Sequence, residues 1–419
     1  PFEDGSSIQL WNDDARCEAE IARLAPKDLA GWRAMQGLKR RLRDALRPEG
    51  DGDLWLDPAP EREEIERRLR GDAEAHALLF QWSMVEMVER YMDDERMHLA
   101  YLGQGVIGTN ASPHDPGTAS VWFHHASGRM FGMPGTWGYV EGGMGRVSLA
   151  LAVAASDAGA EIRCGAEVAA VVPGEGVRLE SGELIRTGVV VSNADPRRTL
   201  ALVDPGAVPA AYRERIDRWR LRSPVVKLNA ALHRLPTFPA AASGGFKPHR
   251  AMIDVTRGLD AAQEAFADAE RGVPNIGFAE VYFQTAYDPS VAPQGKHLVS
   301  VFAQYAPYDL AEGTWDSRRS EIGRQILDAM AEFAPDVADC VAEYEVLGPP
   351  DIERRIGLTG GHIFQGETMP DQMWEHRLTP RTPVAGLYLC GAAPHPAGSV
   401  IALNGRNAAM AVLGDTTPA

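Results

Sequence analysis

A glycine-rich segment near the end of the chain carries the residues best placed for chemistry. Gly391, Gly398 and Gly405 follow a short apolar stretch at residues 387–390 and lead into an alanine-rich stretch. Glycines let the backbone approach a ligand closely, and the unpaired N–H groups at a helix start favour a phosphate. The pattern therefore predicts a strand, a turn and a helix that together form an anion or cofactor cradle.

His395 is the candidate catalytic residue of this segment. It lies between Pro394 and Pro396, where it would stand beside a bound cofactor. A histidine in such a place can transfer a proton, or it can do no more than hydrogen-bond the backbone. The remaining histidines and the four cysteines show neither metal-ligand nor catalytic-triad spacing, so no metal is expected.

Two further groups of residues could contact a cofactor. Gly142 to Gly145 open a second alanine-rich stretch, either as a phosphate cradle or as a tight turn into a closely packed helix. Asn193 and Asp195 follow an apolar stretch, outside the carboxyl end of a predicted strand, where open α/β sheets bind ligands. Their alternative role is that of a turn and helix cap.

A literal G-x-G-x-x-G occurs at residues 103–108, but its surroundings do not suit a nucleotide site. The dinucleotide fingerprint needs a strand before it and a helix after it, whereas this one follows a helical pattern and runs into Thr-Asn-Ala-Ser-Pro. We interpret it as a hinge or a helix terminus.

The surrounding pattern predicts an α/β fold with an α+β substrate part. Residues 1–140 read as a largely helical part of a substrate domain, and residues 141–199 as a nucleotide-binding part with an inserted β-meander. Residues 200–349 contain strands and a helix that suit a substrate domain with a mixed sheet, and residues 350–419 return to the nucleotide-binding domain. Both domains are therefore expected to be discontinuous.

Composition narrows the class of protein. The chain has 419 residues and a formal net charge of -16, which argues against a nucleic-acid partner. Its four cysteines are far apart, so a reducing cytoplasm is expected, and no apolar run is long enough to span a bilayer. Peripheral contact with a membrane surface stays open.

Five segments together resemble the phytoene desaturase-like flavoprotein family, most closely its branch of pyridine nucleotide-disulphide oxidoreductase domain proteins of type 2. They keep the family's order and span nearly the whole chain: PFEDGSSIQLW, WGYVEGGMGRVSLALAVAASDAGAEIRCGAEVAAVV, VVVSNADPRRTL, GGHIFQGETMPDQMW and LYLCGAAPHPAGSVIALNGRNAA.

The resemblance implies FAD as cofactor and an amine-oxidase-like fold, in which a Rossmann-like FAD domain is interleaved with a substrate domain. It places Val168 at the adenine end, Asn193 and Asp195 near the cofactor, and Gly391 and Ala392 near the pyrophosphate. The isoalloxazine would lie along a run of residues: His395, Pro396, Gly398, Ser399 and Val400. The candidates for the substrate side are Tyr139, Glu367 and Trp374.

The sequence departs from the family at its start. Family members begin with a strand, a G-x-G-x-x-G loop and a helix, and residues 1–11 offer no such unit. We therefore expect the FAD site of this chain to be completed by an N-terminal unit that was truncated or clipped, or that belongs to a separate fragment or chain.

The leading functional prediction is an FAD-dependent dehydrogenase or desaturase that takes a hydride from a C–H bond of a largely apolar substrate. N–H groups near Gly398 and Ser399, at an expected helix start, would stabilise negative charge on the reduced flavin. One alternative is a flavin-dependent polyene isomerase without net oxidation. The other is a flavin-free scaffold or interaction protein.

Overall fold

The computed structural model describes residues 1–47, 52–130, 132–241, 247–398 and 400–417. The helices in this part of the chain are α1 (Asp14–Leu24), α2 (Leu29–Leu46), α3 (Arg62–Leu69), α4 (Ala73–Phe80), α5 (Met84–Tyr91), α6 (Glu95–Leu102), α7 (Thr118–Ala126), α8 (Gly145–Asp157), α9 (Pro196–Ala201), α10 (Ala210–Asp217), α11 (Leu259–Glu270), α12 (Trp315–Ala331), α13 (Val337–Cys340), α14 (Pro349–Ile356) and α15 (Leu403–Thr416).

The strands are shorter and fall into separate sheets. They are β1 (Arg129–Met130), β2 (Met133–Pro134), β3 (Val168–Val172), β4 (Gly176–Leu179), β5 (Leu184–Arg186), β6 (Val190–Ser192), β7 (Val225–Leu232), β8 (Ile253–Thr256), β9 (Phe278–Tyr282), β10 (His297–Gln304), β11 (Val341–Leu347) and β12 (Leu387–Leu389).

Capping residues determine where the N-terminal helices begin. The side chain of Asp13 accepts a hydrogen bond from the backbone N–H of Arg16 and caps the start of α1. Residues 61–102, within the part predicted to be largely helical, form four helices, α3 to α6. These helices are separate because Arg70 adopts a left-handed conformation and Ser83 and Asp94 each cap a new helix.

The chain packs into two units, each built from three segments. The first, called the sheet unit, contains Pro1–Lys39, Ala77–Gly159 and Ser223–Asp351. The second, called the cradle unit, contains Arg40–His76, Ala160–Arg222 and Ile352–Ala419. Both units are therefore discontinuous in sequence.

The boundaries of these units differ from the predicted domain boundaries in three places, one of which is that the cradle unit continues past residue 199 to Arg222. Arg40–His76 belongs to the cradle unit because the carbonyl groups of Leu54 and Trp55 accept hydrogen bonds from the side chains of His395 and Asn407. Helix α8 lies in the sheet unit rather than with residues 160–199. The substrate-binding and FAD-binding roles of the predicted domains stay predictions.

The main sheet of the sheet unit has the strand order β11-β7-β10-β9-β8. Every neighbouring pair in it is antiparallel, so the expectation of a mixed sheet was wrong in this detail. The reason is that β8, β9 and β10 follow one another along the chain and each reverses direction.

The two faces of this sheet differ in polarity. Val226, Leu228 and Val301 point into one buried core, where they meet Ile322 and Ile326 of α12. Alternate strand residues point the other way. In register across four strands, that second face carries Lys227, Phe302, Glu280 and Asp254.

The cradle unit contains the predicted β-meander, formed by β3, β4 and β5, and a two-stranded parallel pair of β6 and β12. A parallel strand needs cover on both faces. Val191 of β6 is nevertheless 44% exposed, and Met410 and Leu413 of α15 are 51% and 55% exposed. The parallel pair and its helix therefore present uncovered apolar side chains.

Two glycine segments of the sheet unit differ in their surroundings, since residues 103–105 are packed tightly and residues 142–143 are not. A Cβ on Gly103 would lie 1.9 Å from the ring of Phe278, and residues 103–105 form a short 3-10 turn directly after α6. The G-x-G-x-x-G is therefore a helix terminus, as expected. Gly142 and Gly143 have positive φ before α8, whose residues are all at least partly exposed, including Leu149 and Leu151.

None of the helices in the described ranges is both long and apolar enough to cross a membrane. The cytoplasmic location expected from the cysteine spacing stays a prediction.

Candidate functional site

The cradle segment runs from β12 through an irregular loop to α15. The helix begins at Leu403, so Gly391 and Gly398 lie in the loop and not at a helix start. The expected helix-dipole contribution at Gly398 was therefore wrong in its geometry. The loop itself offers donors, because the backbone N–H groups of Gly391 and Ala392 make no hydrogen bond within the described part of the chain.

The glycines of the loop are required by the protein's own packing. A Cβ on Gly391 would lie 2.3 Å from Oε1 of Gln365 and 2.9 Å from the carbonyl oxygen of Asn193. A Cβ on Gly398 would lie 3.1 Å from the ring of Phe364. The space beside both glycines is thus filled by neighbouring segments of the same unit, and not left open for a ligand as the sequence suggested.

Gln365 joins the end of β6 to the cradle segment. Its Nε2 donates to the carbonyl of Asn193 at 3.1 Å, and its Oε1 accepts from the backbone N–H of Ala393 at 3.3 Å. Its own carbonyl accepts from the indole of Trp219 at 3.0 Å. Gln365 has a φ of +51°, a strained conformation that this set of contacts maintains.

His395 is buried, with 1% of its surface exposed. Its Nε2 lies 2.7 Å from the carbonyl oxygen of Leu54 and must carry a proton to donate there. Burial lowers the pKa of His395 to about 4, so the ring is neutral near neutral pH. Nδ1 is then an acceptor, and no partner for it lies in the described residues. The backbone-bonding alternative is what the structure shows, while a catalytic role stays a prediction.

Among the described residues, Arg377 has the largest fully buried side chain, and it lies beneath the cradle. Its Nη1 donates to the carbonyl oxygens of Glu367 and Gln372, at 2.6 and 3.3 Å. Its Nη2 donates to those of Phe364 and Ala392, at 2.9 and 2.8 Å. Burial lowers the pKa of Arg377 to about 9, although the charge of Glu367 opposes the change.

The end of the cradle loop is strained and partly uncovered. Ala397, Val400 and Ala402 have φ values of +81°, +56° and +57°, in the left-handed region that side chains other than glycine rarely occupy. Val400 is 79% exposed, whereas Pro396 and Gly398 are buried. Strain of this kind is concentrated at binding sites. Ser399, also predicted to lie along the isoalloxazine, falls outside the described residues.

The other predicted cofactor residues occupy different positions in the cradle unit. Val168 begins β3, and Asn193 is exposed at the end of β6. Asp195 is fully buried and caps α9 by accepting from the backbones of Arg197 and Arg198 at 3.0 and 3.1 Å. Its turn-and-cap role is therefore present in the structure, and contact of these three residues with FAD stays a prediction.

The three predicted substrate-side residues do not lie in one unit. Glu367 and Trp374 are buried in the cradle unit, where Oε1 of Glu367 lies 3.2 Å from Nε2 of His362 and Trp374 packs on Trp55. Tyr139 belongs to the sheet unit and is 36% exposed. Glu367 and Trp374 are therefore packed inside the cradle unit, whereas Tyr139 keeps an exposed surface for a ligand.

A pair of acids on the polar face of the main sheet was not noticed in the sequence. Nε2 of Gln104 lies 3.4 Å from Oδ2 of Asp254 and 3.1 Å from Oε1 of Glu280. Tyr282 donates to the other oxygen of Glu280 at 2.7 Å. Burial raises the pKa of both acids, and the charge of Glu280 contributes to raising that of Asp254 to about 8. The sequence signal for this pair is that Asp254 and Glu280 each stand among apolar residues of a strand, β8 and β9, where a charged side chain is unusual.

Comparison with known proteins identifies the family. The family model described as "Flavin containing amine oxidoreductase" matches residues 9–413. The chain is 34% identical to the rat "Pyridine nucleotide-disulfide oxidoreductase domain-containing protein 2", over 98% of this chain and 76% of that protein. It is 24% identical to "Phytoene desaturase (lycopene-forming)" of Pseudescherichia vulneris, over 95% of this chain and 78% of that protein.

Solved structures give the same fold. Putrescine oxidase bound to putrescine has a TM-score of 0.53 and 17% identity, over 92% of this chain and 76% of that one. An oxidoreductase from Methanosarcina mazei has a TM-score of 0.52 and 15% identity, over 86% of this chain and 74% of that one. The family model and the relatives establish FAD as cofactor and oxidoreductase activity, and the solved structures show the amine-oxidase-like α/β fold. The chain belongs to the family of flavin-containing amine oxidoreductases.

Proposed function

We propose that this FAD-dependent oxidoreductase takes a hydride from a C–H bond of a largely apolar substrate. The observation that carries the proposal is an aromatic shelf in the sheet unit, in which the rings of Tyr139 and Tyr287 stack and Trp137 is exposed two residues before Tyr139 in the chain. The side chains of Trp137, Tyr139 and Tyr287 are 57%, 36% and 46% exposed. Large apolar side chains exposed together mark a binding surface.

The shelf is preorganised by ring stacking. The rings of Tyr139 and Tyr287 are 4.4 Å apart and inclined by 23°. Trp137 stacks on His125 at 6.3 Å and 17°. Burial lowers the pKa of His125 to about 4, so the ring under Trp137 is uncharged near neutral pH. A flat, uncharged surface of this kind suits a hydrocarbon chain better than an ion.

The similarity to a phytoene desaturase supports the same class of reaction, because a desaturation removes hydrogen from C–H bonds. Bound FAD would supply the hydride acceptor. The residues of the chain would bind and orient the two reactants.

We assign the cradle segment to the anionic part of FAD. The free N–H groups of Gly391 and Ala392 can donate to a phosphate, and the buried charge of Arg377 lies behind them. The strained residues Ala397 and Val400 extend the same loop. A loop with unpaired donors and a cation beneath it fits a dinucleotide, which supports this assignment.

The test is anaerobic mixing of the FAD-loaded protein with a long-chain polyene hydrocarbon and, separately, with a primary amine. We expect the polyene to bleach the visible absorbance of oxidised flavin and the amine to leave it unchanged. Reduction by the amine alone would contradict the apolar substrate. Conversion of the polyene to an isomer, with the flavin still oxidised and no acceptor added, would favour the isomerase alternative.

Variants of the shelf refine the test. Tyr139→Ala should raise KM for the polyene about three- to tenfold, because it removes one stacked ring from the shelf. Tyr139→Phe keeps the ring and is the matched control, so it should retain the KM of the unaltered protein. An equal KM for all three proteins would separate the shelf from substrate binding.

A further strand and helix would complete the cofactor site in this proposal. Exposed Val191, Met410 and Leu413 are the side chains that such an element would cover in the cradle unit. The experiment titrates FAD into this chain alone and with a dinucleotide-binding βαβ unit from a relative added in trans. We expect affinity to rise at least about tenfold, whereas equal affinity would contradict the proposal.

A further inference from the structure

The guanidinium of Arg377 is bound almost entirely by the backbone. Its four acceptors are the carbonyl oxygens of Phe364, Glu367, Gln372 and Ala392, at 2.6 to 3.3 Å. A buried charge is costly unless it is paired or well hydrogen-bonded. The lowered pKa of Arg377 reflects that burial, and the charge of Glu367 offsets part of it.

The arrangement requires a guanidinium group. Its planar fork of N–H donors reaches acceptors in several directions at fixed angles. A lysine ammonium carries three donors on one atom and cannot span four carbonyls that come from residues 364–372 and from the cradle loop. Arg377 therefore acts as a fixed template around which residues 364–372 and the cradle loop are arranged.

The contact with Ala392 fixes the cradle directly. The peptide between Ala392 and Ala393 is anchored at both ends, because its carbonyl accepts from Arg377 and its N–H donates to Gln365. With this peptide held, the N–H groups of Gly391 and Ala392 remain free of acceptors in the described part of the chain. Phe364, a second ligand of Arg377, also fills the space beside Gly398.

We propose that Arg377 is a positioning residue for FAD: it holds the cradle loop in the conformation that presents its backbone donors, and it places a positive charge behind them. This inference rests on the proposed assignment of FAD to the cradle. It assigns a role to a residue that acts through the backbone of Ala392 and does not itself contact the cofactor.

The experiment titrates the apoprotein with FAD and records the visible circular dichroism of the bound flavin for Arg377→Lys, Arg377→Ala and the unaltered protein. Arg220→Lys is the matched control, since Arg220 lies in the same unit but is half exposed and pairs with Asp371. We expect Arg377→Lys to weaken FAD binding at least about tenfold and to change the flavin spectrum, with Arg220→Lys unchanged.

Chemical rescue separates positioning from general stability. Guanidinium at low millimolar concentration should restore FAD binding to Arg377→Ala, and an equal concentration of ammonium should not. The inference would be overturned by Arg377→Lys binding FAD within about twofold of the unaltered protein, or by equal rescue with both ions. Loss of the folded state in both variants would assign Arg377 to the fold as a whole and reject the specific role.

A separate variant tests whether the cradle loop binds FAD. Gly391→Val should also lose FAD. If it binds FAD as tightly as the unaltered protein, the cradle does not hold the cofactor, and both proposals fail together. If only the Arg377 variants bind normally, the cradle assignment stands and the positioning role alone is rejected.

Discussion

Asp254 and Glu280 lie directly opposite each other on paired strands, and the side-chain amide of Gln104 contacts both carboxyl groups. Two buried acids so close cannot both ionise readily, because each charge raises the pKa of the other group. The pair therefore retains a proton at pH values where free carboxyl groups have lost theirs. This makes the polar face of the main sheet sensitive to pH.

The first prediction concerns Asp254→Asn and stability. Burial and the charge of Glu280 raise the pKa of Asp254 from 3.8 to about 8, so between these values the folded state binds more protons than the unfolded state. The contribution of this group to the free energy of unfolding is fully present below its pKa in the unfolded state, and it is lost as pH rises towards 8. Asn mimics the protonated acid and does not titrate. The free energy of unfolding of Asp254→Asn, relative to that of the unaltered protein, should therefore increase by about 1–3 kcal/mol between about pH 5 and pH 8.

Urea unfolding at the two pH values measures this difference. Asp288→Asn is the matched control because Asp288 is exposed and its hydrogen bonds to Ser290 and Gly142 lower its pKa instead. It should show no gain on moving from the lower to the higher pH. An effect of Asp254→Asn that is the same at both pH values would contradict the shared proton.

The second prediction concerns His395 and has the opposite sign. Burial lowers its pKa from 6.5 to about 4, so within this window the unfolded state binds the additional proton. The contribution of His395 to the free energy of unfolding is fully present above its pKa in the unfolded state, and it falls as pH drops towards 4. The unaltered protein should lose about 1–3 kcal/mol more of its free energy of unfolding than His395→Gln when pH falls from neutral to about 4. The variant should also be less stable at neutral pH, because the hydrogen bond to Leu54 is altered.

The slope of unfolding free energy against pH checks this expectation. His376→Gln serves as control, because that side chain is 53% exposed. His125 is buried with a similarly lowered pKa and keeps its own contribution in both variants. An unchanged slope for His395→Gln would show that the ring does not remain neutral when buried.

The third prediction compares two glycines of the cradle segment. Gly391→Ala would bring a Cβ to 2.3 Å from Gln365 and should destabilise the protein by about 1–3 kcal/mol, with weaker FAD retention. Gly405→Ala lies within α15 with no atom within 4 Å of the new Cβ, so it should be neutral or stabilising by about 0.5–1 kcal/mol. Thermal unfolding distinguishes them, and equal effects would contradict the packing seen at Gly391.

The sequence predicted the elements whose signals are local. Strands β7 and β10 lie in the stretch 200–349, where the sequence predicts strands, and β3 to β5 form the predicted β-meander. The split of the region after residue 61 was also readable, because Ser83 and Asp94 are good cap residues placed between apolar runs. Helices and strands could therefore be predicted from the spacing of apolar residues and from capping residues, because these signals involve residues close together in the sequence.

The site was less predictable because its contacts join distant residues through the backbone. Nothing in the string HRLTP distinguishes the buried Arg377 from a surface arginine, since its four partners are carbonyl groups that every residue carries. Gln365 and Gly391 likewise meet only in the folded chain. The family resemblance identified the cradle segment. Tertiary packing determined which of its backbone groups form hydrogen bonds within the protein and which remain available to a ligand.

The fourth prediction separates the two roles left open for Asp195. Its carboxylate accepts from the backbones of Arg197, Arg198 and Thr359, at 3.0, 3.1 and 3.0 Å. Asp195→Ala should therefore destabilise the protein by about 1–2 kcal/mol, because buried N–H groups lose their acceptor. Asp195→Asn keeps an oxygen at the cap of α9 and should recover much of this stability.

FAD affinity decides between cap and ligand. A residue that serves as a cap should leave the affinity of Asp195→Asn within about twofold of the unaltered protein, whereas a direct cofactor contact would lower it about tenfold or more. Asp204→Ala is the control for loss of a cap, since Asp204 is exposed and accepts only from Gly206 at 2.7 Å. Because all three acceptor contacts of Asp195 are already made within the protein, we expect the cap outcome.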